Sequence, residues 1–223
     1  RVSSGPLLIR ADAGPAIGSG HVMRCLALAE AWKDDRGDVI VVLASTAPPL
    51  EERIASEVTA VLHIASVPGT PEDACETIRI AHEHTVSWVV VDGYHFSADY
   101  QNHLRDAGLS LLMIDDYGHA AGYCADLVLN QNVYADMSLY PRREPATRFL
   151  LGTRYALLRR EFLAWAGTQR THPPVARKIL VTFGGGDPEN LTGAVTEILR
   201  KVAIDDLEVM VVAGGIFPHL DGL

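Results

Sequence analysis

Short apolar runs alternate with longer segments whose apolar positions fall at helical spacing, a pattern of strands and helices taking turns along the chain. Leu7 to Ile9 reads as a strand, and Val22, Cys25, Leu26, Ala29 and Trp32 mark one face of the helix after it. Val39 to Ala44 is a second strand, and Pro48-Pro49 opens a helix carrying Leu50, Ile54 and Val58. Ala60 to Ala65 is a third strand; Pro71 starts a helix with Ala74, Ile78 and Ala81 on one face; Ser87 to Val91 is a fourth strand. Residues 97–107 are helical with Gly108 as the stop, Leu109 to Ile114 is a fifth strand, and Leu127 to Leu129 a short sixth. The strands are apolar throughout and alternate with helices, which predicts a doubly wound parallel α/β sheet covered on both faces.

From Leu139 to Pro174 the pattern breaks. Tyr140-Pro141-Arg142-Arg143 and Arg148 are basic, Leu150-Leu151-Gly152 is a possible short strand, and Gln169 to Pro174 is polar and proline-rich. This is the expected crossover between a first domain over residues 1–160 and a second over 176–223. The second opens with a strand, Lys178 to Phe183, then Gly184-Gly185-Gly186-Asp187-Pro188 and a helix with Leu191, Val195, Ile198 and Leu199 inward. Asp187 is placed as its N-cap and Pro188 as its first residue. Leu207 to Ala213 is a further strand, ending in Gly214-Gly215. Two strands and a helix are too few for an independent sheet, so the second domain is expected to continue beyond Leu223.

The polar residues that punctuate the strands carry the chemistry. In a parallel sheet the carboxyl ends of the strands share one edge, where open α/β folds bind ligands. Asp12, Asp92 with Tyr94, and Asp115, Asp116 and Tyr117 all fall there. The first strand leads into Gly14, Pro15, Gly18, Ser19 and Gly20, and His21 stands at the start of the helix, beside backbone N–H groups that favour an anion. His21 is a candidate general base, with Asp12 either orienting it or capping the loop. The same turn also reads as a plain chain reversal with a surface histidine, since Met23 stands where a dinucleotide fingerprint has its third glycine. Tyr94 either contacts a sugar or water, or packs on the rim. Gly184, Gly185 and Gly186 suit close approach of a phosphate, with a structural turn as the alternative; no Lys-Ser/Thr follows as in an ATP-hydrolysing loop. Asp187 would repel an anion unless it points away as a cap. Asp115 and Asp116 point different ways as neighbours, and one of them suits loop N–H groups better than a metal.

Composition narrows the classes. The 223 residues are 48% hydrophobic, enough for a sizeable core, and the net charge of −9 disfavours nucleic acid or an anionic membrane as partner. Cys25, Cys75 and Cys124 are widely spaced in apolar patterns and read as reduced core thiols of a soluble, cytosolic protein. The remaining histidines, at 63, 82, 84, 95, 103, 119, 172 and 219, show no metal-ligand spacing beyond His82 and His84 and read as structural or solvated. No metal and no cofactor are expected, and no internal repeat is found.

A set of motifs in order resembles one known family. Ile17-Gly18-Ser19-Gly20-His21-Val22-Met23-Arg24-Cys25-Leu26-Ala27-Leu28-Ala29, Val91-Asp92-Gly93-Tyr94, Ile114-Asp115-Asp116, Asp126 to Asn132, Gly152 to Phe162, and Thr182-Phe183-Gly184-Gly185-Gly186-Asp187-Pro188 are similar to the PseG family. These are UDP-sugar hydrolases of pseudaminic acid biosynthesis, acting on a diacetamido-trideoxy sugar and related in fold to MurG-like glycosyltransferases. The resemblance implies a GT-B architecture of two Rossmann-like domains, with nucleotide held mainly by the second, and metal-free hydrolysis at the anomeric carbon with inversion. It implies His21 as the base, Tyr94 near the same centre, and Arg24, Asp92, Asn130 and Asn132 in motifs lining the cleft. The implied partner is a small-molecule UDP-sugar. A glycosyltransferase of the same architecture, or a non-catalytic nucleotide-sugar-binding protein, is the alternative.

Overall fold

The structure, a computed structural model, describes residues 5–14, 17–35, 37–46, 48–86, 88–184, 186–214 and 217–220. Seven strands form one parallel sheet: β1 (Leu7–Ala11), β2 (Val39–Leu43), β3 (Ala60–His63), β4 (Trp88–Asp92), β5 (Ser110–Ile114), β6 (Leu127–Asn130) and β7 (Arg148–Leu151). Their spatial order is β3-β2-β1-β4-β5-β6-β7. Helices α1 (Gly20–Asp34) and α2 (Pro48–Glu57) follow β1 and β2, while α3 (Pro71–Glu83) and α4 (Ala98–Asp106) follow β3 and β4.

Alternation along each strand divides the core in two. Leu7, Ile9, Val39, Val41, Val90, Leu112 and Ile114 pack with Val22, Cys25, Leu26 and Ala29 of α1 and Ile54 of α2. Leu8, Ile40, Val42, Val89, Val91, Leu111 and Met113 pack on the opposite face with Ala74, Ile80 and Ala81 of α3 and Tyr100 and Leu104 of α4. Both faces of the inner strands β1, β2, β4, β5 and β6 are buried, which is why these strands read as apolar runs rather than alternating ones. The expected fold class, a doubly wound parallel α/β sheet, is what the chain adopts. Gly108 lies just past α4 with φ 82°, a left-handed backbone that glycine adopts without strain.

The segment expected as crossover contributes more than linkage. β7 pairs in parallel with β6, with Leu129 beside Leu150, and Phe149 and Leu151 pack against the α3/α4 core. A short helix α5 (Arg160–Leu163) follows, and then a separate two-stranded parallel sheet, β8 (Lys178–Val181) and β9 (Glu208–Val211), with α6 (Leu191–Leu199) between them in sequence. Here the sequence expectations need correction. The N-cap of α6 is Asn190, in a left-handed conformation at φ 53°, not Asp187, and the helix begins at Leu191 rather than Pro188. Leu191 and Ile198 are exposed rather than inward, and Thr192 is the buried residue of α6. Cys75 is also exposed, unlike Cys25 and Cys124. It lies about 100° around α3 from Ala74, on the side away from Ile80 and Ala81, and so falls off the face that these three bury.

Arg10, fully buried on β1, anchors α3 to the sheet. Its Nε and Nη2 donate to the two oxygens of Asp73 at 2.9 and 2.8 Å, and Nη1 donates to Asp12 at 2.7 Å. The Tyr100 and Thr77 hydroxyls and the Gly69 N–H also donate to Asp73. Removing one partner of a buried ion pair strands the other, at a cost of about 3–5 kcal/mol. Asp73→Ala is therefore expected to destabilise the fold by about that amount, read as a fall in the urea midpoint. A loss under about 1 kcal/mol would show that Arg10 finds other partners.

Candidate active site

The connection from β1 leads outward to β2 and β3, whereas β4 begins the half that leads to β5, β6 and β7. The crevice between the carboxyl ends of β1 and β4 is thus the topological switch point, where such sheets take their ligands. His21, the second residue of α1, meets Asp92, the last residue of β4, with Nδ1 2.6 Å from Oδ1. One turn along α1, Arg24 grips the same carboxylate through Nε (2.6 Å to Oδ2) and Nη2 (2.7 Å to Oδ1). Asp92 is fully buried and His21 is 8% exposed. An ionised carboxylate only accepts, so in the neutral imidazole Nδ1 carries the proton and Nε2 the lone pair. That is the arrangement of a general base oriented by an acid.

Arg24 ties in the end of β5 as well. Its Nη1 donates to Asp116 at 2.7 Å, Asn132 Nδ2 donates to the same oxygen at 2.9 Å, and the Tyr94 hydroxyl donates to the other at 2.8 Å. Burial works against the Arg24 charge, but its bonds to Asp92 and Asp116 outweigh it and hold the guanidinium protonated. Burial likewise opposes the Asp116 charge, and Arg24 reverses this, so Asp116 lies below the usual carboxylate range. Burial and the bond to Asp116 both push the Tyr94 hydroxyl upward, so it stays protonated. The Tyr94 ring stands edge-on to His21 at 4.9 Å and to His119 at 5.5 Å. Asp115 accepts the N–H groups of Asp116, Tyr117 and Gly118, together with His119 Nδ1 and the Tyr123 hydroxyl. Of the two neighbouring acids, one holds its loop and the other holds Arg24.

Two cavities adjoin here. One, of about 420 Å³, is lined by Asp12, Ile17, His21, Asp92, Gly93, Tyr94 and His95. The other, of about 380 Å³, lies between Gly18, Ser19 and Gly20 on one side and Phe183, Gly184, Gly186 and Asp187 on the other. Ile17 lines both. Gly185 lies outside the described residues. Asp187 is turned to its own helix, accepting from the Leu191 and Thr192 N–H groups at 2.9 and 2.8 Å. The start of α1 has no side-chain cap and no acidic residue in its first turn.

The structure redistributes the expected roles. Asp12 does not orient His21: its carboxylate takes Arg10 and the N–H groups of Ala44 and Ser45, which is the loop-holding alternative, and Asp92 stands beside the imidazole instead. Asn130, expected along the cleft, is fully buried and donates to the Asp116 carbonyl and the Tyr140 hydroxyl. Arg24, Asn130 and Asn132 line neither cavity and act through Asp92 and Asp116. His95, expected as structural or solvated, lines the cavity of His21, and His119 packs edge-on against Tyr94; the sequence signal for His95 is its place directly after Tyr94 beyond β4. Among the described residues no group of three or more His, Cys, Asp or Glu is arranged to hold a metal ion, and no helix is long and apolar enough to cross a membrane.

No protein-family model matches the chain. It is similar to the UDP-2,4-diacetamido-2,4,6-trideoxy-β-L-altropyranose hydrolase of Campylobacter jejuni, at 28% identity over 200 residues, 89% of this chain and 67% of that protein. An uncharacterized protein of Methanocaldococcus jannaschii is 25% identical over 222 residues, 97% of this chain and 44% of its own length. Among solved structures, Anabaena HepE in complex with UDP-glucose aligns with a TM-score of 0.54 at 13% identity, covering 97% of this chain and 63% of that one. The chain thus spans from under half to about two thirds of the length of the proteins it matches. The structural likeness is one of fold and agrees with the GT-B class.

Asp115 supplies a pH signature of this sheet edge. Burial alone would raise its pKa, but His119 and Tyr123 lower it from 3.8 to about 2. Between those values the unfolded chain binds the proton and the native one does not, so this group's contribution to stability is present above about pH 4 and is lost as pH falls through about 2. Acid unfolding of Asp115→Asn should show a shallower pH slope in that window than the parent. Identical slopes would place the carboxyl at its ordinary value.

Proposed function

We propose that the protein is a nucleotide-sugar hydrolase that cleaves UDP from its sugar, with water activated by His21. The observation that carries this reading is the His21–Asp92 pair, which leaves an imidazole lone pair beside a cavity open to solvent. The likeness to a UDP-sugar hydrolase over 89% of the chain supports the substrate class and, at the finer level, a diacetamido-trideoxy sugar.

In the proposed reaction the glycosyl part occupies the cavity of His21 and Tyr94, and the diphosphate occupies the cleft between Gly18–Gly20 and Gly184 and Gly186. His21 Nε2 takes a proton from water as the water oxygen bonds to the anomeric carbon. The bond from that carbon to the diphosphate oxygen breaks, and UDP leaves with the electron pair. Asp92 steadies the imidazolium that forms, as the orienting acid does in a catalytic triad. Backbone N–H groups around both glycine turns stabilise the departing anion. Attack opposite the leaving group inverts the anomeric centre.

Incubating the full-length protein with a panel of UDP-sugars in water should release UDP, and NMR of the fresh product should show the inverted anomer. Retention would rule out direct displacement, and UDP release only when a sugar or lipid acceptor is added would make the protein a transferase of the same architecture. His21→Ala should lower kcat by about a hundredfold or more while leaving UDP affinity within about twofold. Unchanged turnover would remove His21 from the chemistry.

A further inference from the structure

The cavity that holds His21 contains a second imidazole with no role so far. His95 follows Tyr94 and lines the same cavity as His21, Asp12 and Tyr94. Its ring is fixed by its surroundings: it packs on Phe96 with centroids 4.2 Å apart, and it passes so close over Gly93 that a Cβ there would come within 2.7 Å of His95 Cε1. The backbone is held too, since a Cβ on Gly69 would fall 2.3 Å from the His95 carbonyl oxygen.

The two ring nitrogens face different surroundings. Nε2 is closed off from solvent without a hydrogen-bond partner among the described residues, 3.5 Å from Asp12 Oδ2. That carboxylate already takes Arg10 Nη1 on Oδ2 and the Ala44 and Ser45 N–H groups on Oδ1. A nitrogen turned toward a carboxylate keeps its proton, which leaves the lone pair on Nδ1. The side chain is still 26% exposed, and with Nε2 turned inward, Nδ1 is the nitrogen open to a bound molecule. Burial lowers the His95 pKa below the ordinary histidine value, against the pull of Asp12, so the ring is neutral and able to accept.

We propose that His95 is a specificity-determining residue that accepts, at Nδ1, a hydrogen bond from a hydroxyl or amide N–H on the glycosyl part of the ligand. This rests on the reading of the site as one for a nucleotide sugar. It divides the work of the two histidines: His21, backed at 2.6 Å by Asp92, moves the proton, and His95, whose acid is occupied elsewhere, recognises the sugar. The sequence pattern offers no such division, since both histidines follow strand ends.

The test uses the wild-type full-length protein first. On adding a UDP-sugar that the protein binds, the His95 Nδ1 nitrogen resonance should move, and on adding UDP alone it should stay in place. His95→Leu should raise KM for the UDP-sugar by about three- to tenfold with kcat and UDP affinity little changed, and His95→Asn, whose carbonyl oxygen sits near the Nδ1 position, should recover most of the loss. A resonance that moves equally with UDP, or with neither compound, overturns the proposal even where wild-type hydrolysis stands. Absence of wild-type hydrolysis with the sugar-dependent shift intact removes the hydrolytic reading and supports sugar recognition by His95. A His95→Leu protein that fails to fold leaves the wild-type resonance as the deciding measurement.

Discussion

One buried carboxylate, Asp92, carries the geometry of the whole edge. It is wholly withdrawn from solvent, and an isolated charge in such a place would be untenable. Two nitrogens of Arg24 and the Nδ1 of His21 make it tenable, and all three come from the first turns of α1. The same guanidinium then reaches Asp116 beyond β5. The ends of two strands and the start of one helix are thereby a single charged unit, in which no member can be removed without stranding another. The orientation of His21 is a consequence of that unit rather than of the glycine-containing turn before it.

Strand alternation decides which acid meets the histidine. Val90 packs on the face that α1 and α2 cover, so Asp92, two residues later, points to that face and arrives beside His21. Leu8 packs on the α3 and α4 face, so Arg10 and Asp12 point there, and Arg10 finds Asp73 of α3. The register places Ala11, Asp92 and Ile114 side by side, so Asp12 and Asp115 both lie one residue past their strands and serve the loops that follow. Period-two geometry therefore assigns these acids their work.

The strands, the helices of the first sheet and the polar edge were legible because apolar runs and helical spacing are local signals. Pairing His21 with Asp92 instead of Asp12 required knowing which face α1 covers, which is a matter of tertiary packing. His95 was missed because its ring is placed by a turn over Gly93 and by Phe96, beyond the end of any periodic element. The start of α6 was misread because Asp187-Pro188 is a good local helix opening, while the folded chain puts Asn190 in a left-handed conformation and lets Asp187 reach forward to Leu191 and Thr192.

That last detail changes where an anion would be held. An acid beside a phosphate-sized cleft would repel it, but Asp187 is engaged with the first N–H groups of α6 and Asn190 takes that of Gly193. The positive end of α6 is therefore spent on its own side chains, and among the described residues its glycine turn brings Gly184 and Gly186 to the cleft. The start of α1 has neither cap nor first-turn acid, and Gly18, Ser19 and Gly20 line the same cleft. The helix end with N–H groups to spare is thus the one that carries His21. In the proposed reaction, base and leaving group would then be positioned by one rigid turn of one helix, itself bolted to the sheet through Asp92. The separation of attacking water from departing oxygen would be set within the first sheet, and the residues around β8 and α6 would govern how firmly the diphosphate is gripped.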